Sequence, residues 1–131
     1  MLIELGKLDV NNSEFTDGKV NHIKGVDSIV RLSKVNVHDS ESKDSGHGFF
    51  CSRCWFASVE DSTFENLNST SIFGTAGAIK LENLKNVTFQ PISYIKNTEF
   101  IGNRAASGGA LHLDKTHLLE VSGNTFIENE A

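Results

Sequence analysis

Two short patterns alternate along the chain, and this alternation constrains the fold more than any other feature. The first sets a phenylalanine after Asn, Ser or Thr: Asn12-Ser13-Glu14-Phe15, Asp61-Ser62-Thr63-Phe64, Asn97-Thr98-Glu99-Phe100 and Asn124-Thr125-Phe126, with Asn36-Val37 as a weaker copy. The second is a short alternating strand: Ser28-Ile29-Val30-Arg31-Leu32, Gly77-Ala78-Ile79-Lys80-Leu81 and Gly109-Ala110-Leu111-His112-Leu113. The stretch from Phe49 to Phe56 fills the place between the first two. Positions 15, 37, 64, 100 and 126 are separated by 22, 27, 36 and 26 residues, a degenerate repeat of about 25 residues.

Each segment alternates over only four or five residues, which is the period of a strand with one buried face. The connections are too short for antiparallel hairpins of useful length, so a β-sandwich, the main structural rival, fits poorly. If each repeat is one coil of a solenoid, every strand stacks on its equivalent in the next coil, about 4.8 Å away. Leucine and phenylalanine then fill the interior while Lys, Arg and His project outward. Glycines are expected at the corners, where the backbone needs positive φ, and corner asparagines are expected to hydrogen-bond from coil to coil. The expected fold is all-β, a right-handed parallel β-helix of about five irregular coils. Residues 1–131 read as a single segment, irregular over 1–59 and clearer over 60–131. The last repeat stops mid-coil at Glu130-Ala131, so the segment is expected to belong to a longer solenoid or to be covered by a partner.

Composition supports this class and narrows the partners. The 131 residues include nine Phe and eleven Gly but one Pro, one Trp and one Tyr, a mixture suited to short strands and tight turns rather than helical bundles. A net charge of −5 argues against general binding to nucleic acid or anionic membrane. No apolar run is long enough for a membrane span, so no membrane insertion by this segment is expected.

Phe100-Ile101-Gly102-Asn103 followed by Ser107-Gly108-Gly109-Ala110-Leu111 resembles the paired FxxN and GGA(I/L/V) motifs of chlamydial polymorphic outer-membrane proteins. Phe126-Ile127-Glu128-Asn129 repeats the first motif, and Thr75-Ala76-Gly77-Ala78-Ile79 departs from the second only in Ala76. The resemblance covers about residues 60–131; Phe64-Glu65-Asn66 and Phe15-Thr16-Asp17 depart from FxxN, and the first half has no GGA. It implies a pectin-lyase-like β-helix at a cell surface or outside the cell, a structural or adhesive element rather than an enzyme. Its implied partners are other coils or copies through open ends, and glycans or a host-surface molecule.

Candidate functional residues follow from the strand pattern. Arg31, Lys80 and His112 occupy outward positions, with Trp55 or Arg53 between them, and are expected to stack into a basic and aromatic column. Such a column suits an anionic glycan, with Trp55 against a sugar ring. Cys51 and Cys54 are spaced C-x-x-C; with His47 and His38 they are candidate zinc ligands, although structural cysteines, free or locally bonded, are the expectation. Alternation places the two on opposite faces, one buried and one exposed. Ser45-Gly46-His47-Gly48 looks like a polygalacturonase signature, but the accompanying carboxylate motifs are missing, so catalysis is not expected. The run from Asp39 to Gly48 reads as a flexible loop, and Gln90 to Tyr94, around Pro91, as an inserted loop. Asn11, Asn68 and Asn86 open N-x-S/T sequons. No cofactor is implied. The rival functions are a carbohydrate-binding or carbohydrate-cleaving β-helix and a subunit that assembles end to end into filaments.

Overall fold

The structure is a computed structural model, and it describes residues 1–19, 21–43, 47–85, 91–116 and 119–131. Among the described residues the fold is all-β, without helix, and every strand pair is parallel. The first sheet contains β1 (Leu2–Glu4), β3 (Ile23–Val26), β5 (Phe49–Ser52), β8 (Ile79–Glu82) and β11 (Leu111–Asp114), paired in that order. The second contains β2 (Lys7–Thr16), β4 (Ile29–Ser42), β6 (Phe56–Glu60), β7 (Thr63–Ser69), β9 (Ser93–Lys96), β10 (Glu99–Ile101), β12 (Leu119–Ser122) and β13 (Thr125–Ile127). The front half of β4 pairs with β6 and its rear half with β7, so one long bent strand continues as two shorter ones. Each pass of the chain thus visits the first sheet and then both arms of the second.

Positive φ marks the bends. One column of left-handed residues, Leu5, Asp27, Arg53, Asn83 and Lys115, follows each strand of the first sheet. A second, Asn12, Lys34, Asp61, Asn97 and Gly123, bends the second sheet between its arms. A third, Asp17, Asp39, Asn66, Gly102 and Glu128, bends or ends the rear arm, with Asp39 inside β4 and Asn66 inside β7. The remaining pair, Ala76 and Gly108, precedes β8 and β11. Glycine therefore supplies few of the corners, contrary to expectation. Asp and Asn dominate because their short polar side chains tolerate this region, and stacking over-determines the rest.

Several glycines serve close approach instead. A Cβ on Gly77 would stand 2.5 Å from the Gly109 carbonyl oxygen and 2.6 Å from that of Leu67. On Gly25 it would stand 2.7 Å from Val30 and 3.1 Å from the Cys51 sulfur.

The interior is built from register columns. Val10, Leu32, Val59, Ile95 and Val121 lie opposite one another, as do Phe15, Val37, Phe64, Phe100 and Phe126. The Phe64 and Phe100 rings stack at 5.6 Å and 13°, and Phe100 and Phe126 at 4.9 Å and 9°. Behind them runs the expected asparagine ladder. Asn103 Nδ2 donates to the Phe64 carbonyl at 2.9 Å and to Asn129 Oδ1 at 2.9 Å, while Leu67 N–H donates to Asn103 Oδ1 at 3.1 Å. Asn129 repeats the contact by donating to the Phe100 carbonyl at 2.8 Å. The asparagine of each FxxN motif thus satisfies backbone groups of the pass before it, which buried polar groups require.

Three local expectations are corrected. Asp39 to Ser42 is the end of β4, not loop, because Ser40, Glu41 and Ser42 pair with Leu67, Asn68 and Ser69; Ser45 and Gly46 lie outside the described residues. Ser93 and Tyr94 begin β9 rather than closing an inserted loop, and Gln90 lies outside the described residues. Cys51 and Cys54 are both fully buried and joined as a disulfide, with Cα atoms 6.0 Å apart. The left-handed Arg53 between them breaks the strand alternation and turns both sulfurs inward.

Candidate functional site

The outer face of the first sheet carries one column rich in cations and aromatic rings, beside a second outward column that holds Glu4, Glu82 and Asp114. In β3 the alternation turns Ile23 and Gly25 inward and leaves Lys24 half-buried on the outside. Register then aligns Leu2, Lys24, Phe50, Lys80 and His112 in one column. The Lys24 and Lys80 ammonium nitrogens lie 5.4 and 5.5 Å from the Phe50 ring centroid, so the ring is flanked by a cation from each neighbouring strand. Lys80 is tethered to Glu82 at 3.1 Å, and Glu82 also accepts from Ser52 Oγ at 3.0 Å.

A second cluster stands at the corner that follows. Arg53 Nη2 donates to Asp27 at 2.8 Å, and Lys85 reaches the same carboxylate at 3.0 Å. The Arg53 and Lys85 hydrogen bonds hold the Asp27 carboxyl at about 2. Lys85 also lies 4.0 Å from the Trp55 ring centroid, and Trp55 is 42% exposed. Two cations share one carboxylate here, so the cluster keeps a net positive charge beside an exposed indole. Charge of this sign next to a flat apolar ring can hold an anionic group and the ring that carries it.

The structure divides the expected column. Lys80 and His112 are register neighbours on this face, and Trp55 stands at its corner. Arg31 does not join them: it lies in β4 of the second sheet, in a column with Asp9, Ser58, Tyr94 and Glu120. There it faces Asp9 at 3.5 Å and the Phe56 ring at 5.0 Å. The reason is that any half-buried strand shows the same alternation, so Ser28 to Leu32 was aligned with Ile79 to Leu81 although their counterparts are Ile23 to Gly25 and Phe49 to Cys51. The residues missed were Lys24, Phe50 and Lys85. The first two were legible once Ile23-Lys24-Gly25 is set in register with Ile79-Lys80-Leu81.

The remaining candidates separate. His47 is fully buried with its ring 5.1 Å from that of His22, and its proposed companions Cys51 and Cys54 are consumed by the disulfide. Among the described residues no group of three or more His, Cys, Asp or Glu could hold a metal ion. Asn11 is exposed on β2; Asn68 is half-buried in β7 and donates to Glu41 at 3.2 Å; Asn86 lies outside the described residues. No protein-family model, curated protein or solved structure matches the chain.

Proposed function

We propose that this chain is a segment of a right-handed parallel β-helix in a cell-surface or extracellular repeat protein, where it serves as a structural and adhesive element. The observation that carries the reading is the unbroken register of the first sheet, on which the outward column Lys24, Phe50, Lys80 and His112 is built. A solenoid repeats each surface position at about 4.8 Å, so a few residue types become a continuous contact strip. The buried Cys51–Cys54 disulfide supports an oxidising location. The ligand read from the strip is an acidic glycan, bound by Lys24, Lys80 and the Lys85–Trp55 corner.

The test is binding of heparin and of polygalacturonate, a sulfated and a carboxylated probe, to the purified chain. Binding that weakens with salt and falls about tenfold or more in a Lys24→Ala/Lys80→Ala variant is expected. Failure of both polymers to bind, or equal binding by the variant, overturns the adhesive assignment of this face.

A further inference from the structure

A polar groove runs along the third corner of the molecule, away from the cationic face. One wall is the left-handed column of Asp17, Asp39, Asn66, Gly102 and Glu128, and the other begins two residues later in each pass. Three cavities, of about 330, 230 and 330 Å³, lie along it. They share walls: Asn66 and Asn68 line the first and second, and Lys19 and Glu41 line the first and third.

The chemistry of this groove is mixed and net acidic, with five carboxylates and three cations among its lining residues. Asn66 Nδ2 donates to Asp39 at 2.9 Å and Asn68 Nδ2 to Glu41 at 3.2 Å, which fixes both amides with their oxygens available to accept. Arg104 is paired with Glu130, and Lys19 and Lys43 offset neighbouring carboxylates. Carboxylate and amide acceptors outnumber the cations here, which suits hydroxyl donors and disfavours a polyanion.

An exposed aromatic ring follows in the chain shortly after one end. Thr70 lines the third cavity, and three residues on, Phe73 is 83% exposed on a turn fixed by Gly74 N–H to the Ser71 carbonyl at 2.9 Å. Phe73 N–H also donates to Ser71 Oγ at 3.2 Å. Residues 66–79 carry no charged side chain, so the charges of the groove all come from the neighbouring passes. With Ile72, 81% exposed, next to it in the chain, Phe73 forms an apolar pair held in solvent, and the face of its ring is a platform for the apolar side of a sugar ring.

We propose that this groove binds a linear, uncharged, hydroxyl-rich chain, a neutral glycan, with Asn66 and Asn68 as its central hydrogen-bonding groups and Phe73 as a stacking platform. The repeat of the walls, about 4.8 Å from strand to strand, is close to the length of one pyranose unit in an extended chain. The site is independent of the acidic-glycan face.

The test uses the full chain from a host without N-glycosylation, because Asn68 opens a sequon and an attached glycan would fill the groove. Cellohexaose, xylohexaose and mannohexaose are titrated by nuclear magnetic resonance or calorimetry. At least one is expected to bind, with affinity about tenfold lower in Asn66→Gly/Asn68→Ala, a loss of about 1.4 kcal/mol. Glycine at position 66 keeps the left-handed backbone accessible. Phe73→Ala, which removes an exposed side chain, is expected to weaken binding severalfold while leaving the melting temperature and heparin binding unchanged. Should the double variant fail to fold, Phe73→Ala alone decides. Binding of none of the three hexasaccharides, or undiminished binding by the folded variants, overturns the proposal.

Discussion

Gly77 and Ala76 divide between them the two demands that a Gly-Gly pair meets before a strand of the first sheet. Ala76 takes the left-handed φ of 66°, and Gly77 takes the place hemmed in by the carbonyls of Gly109, Leu67 and Arg104. A side chain in the left-handed region costs about 1–2 kcal/mol, and glycine's greater freedom in the unfolded chain offsets about 0.5–1 of that. Ala76→Gly is therefore expected to change stability by less than about 1 kcal/mol. Gly77→Ala presses a methyl group onto backbone atoms that cannot swing aside, and a loss of about 3 kcal/mol is expected, the upper end of the overpacking range. Urea midpoints of the two variants decide the matter; equal losses would contradict this division. The Cys51–Cys54 disulfide is also a residue-scale statement. Alkylation in denaturant without reductant is expected to leave both cysteines unmodified, and Cys51→Ala/Cys54→Ala to cost about 2 kcal/mol, the loop-closure value for so short a ring. The pairing was not legible from alternation, which puts residues i and i+3 on opposite faces. It depends on the reversal of backbone hand at Arg53, a residue type that does not announce such a conformation.

At the scale of the element, β2 and β4 are joined by a contact that titrates. His38 in β4 sits 2.6 Å from Glu14 of β2 and 2.9 Å from Asp39, with Glu65 of β7 as its register neighbour. Hydrogen bonds to Asp39 and then Glu14 raise its pKa above the ordinary 6.5. That contribution is complete below pH 6.5 and is lost as pH rises through the folded pKa. His22, just before β3, behaves oppositely. Burial, then the charge of the N-terminus, lowers its pKa, so its contribution is complete above 6.5 and is lost as pH falls through the lowered value. Stability is therefore expected to peak near pH 6.5, with His38→Gln flattening the alkaline limb and His22→Gln the acidic limb. Melting temperatures from pH 5 to 9 test this; limbs that persist in both variants would refute it. The same strands show what the sequence disclosed. Period and alternation were enough to reach an all-β fold with parallel sheets, the phenylalanine column and the asparagine ladder. They were not enough to say which sheet a given alternating run enters, because Ser28 to Leu32 and Ile79 to Leu81 bury alternate residues equally well. The motifs with special backbone needs, Gly108-Gly109 and Phe100 to Asn103, identify sheet and register, and they are concentrated in the second half. Hence the contribution of Lys80 and His112 to one face was readable, while the place of Arg31 was not.

For the whole molecule, the decisive property is that burial depends on having a neighbouring pass on each side. Phe64, between Val37 and Phe100, and Phe100, between Phe64 and Phe126, are fully buried, whereas Phe126, at the end of the same column, is 50% exposed. Leu113 and Val121 share its situation at 39% and 42%. Their strands, β11, β12 and β13, each pair on one side only, so a row of backbone N–H and C=O groups lies beside this apolar surface. Leu2 and Leu5 mark the opposite end, 59% and 83% exposed. The two ends present parallel strand edges of the same spacing, and a second copy stacked head to tail would continue the columns. Such a contact is heterologous and does not close on itself, so growth is open-ended. Completing the burial of a Phe, a Val and a Leu side chain that are already about half-buried contributes about 1 kcal/mol each before the cost of association, enough for weak stacking at high concentration. The 131-residue chain is therefore expected to show a sedimentation-average mass that rises with concentration, and a Val121→Lys/Phe126→Lys variant to remain monomeric. Charge at these edge positions can reach solvent in the monomer but is buried in the stacked form; because Phe126 also stacks on Phe100 within the chain, the melting temperature of the variant is measured beside its mass to separate assembly from folding. A wild-type chain that stays at its monomer mass into the millimolar range would show that the exposed end does not drive assembly.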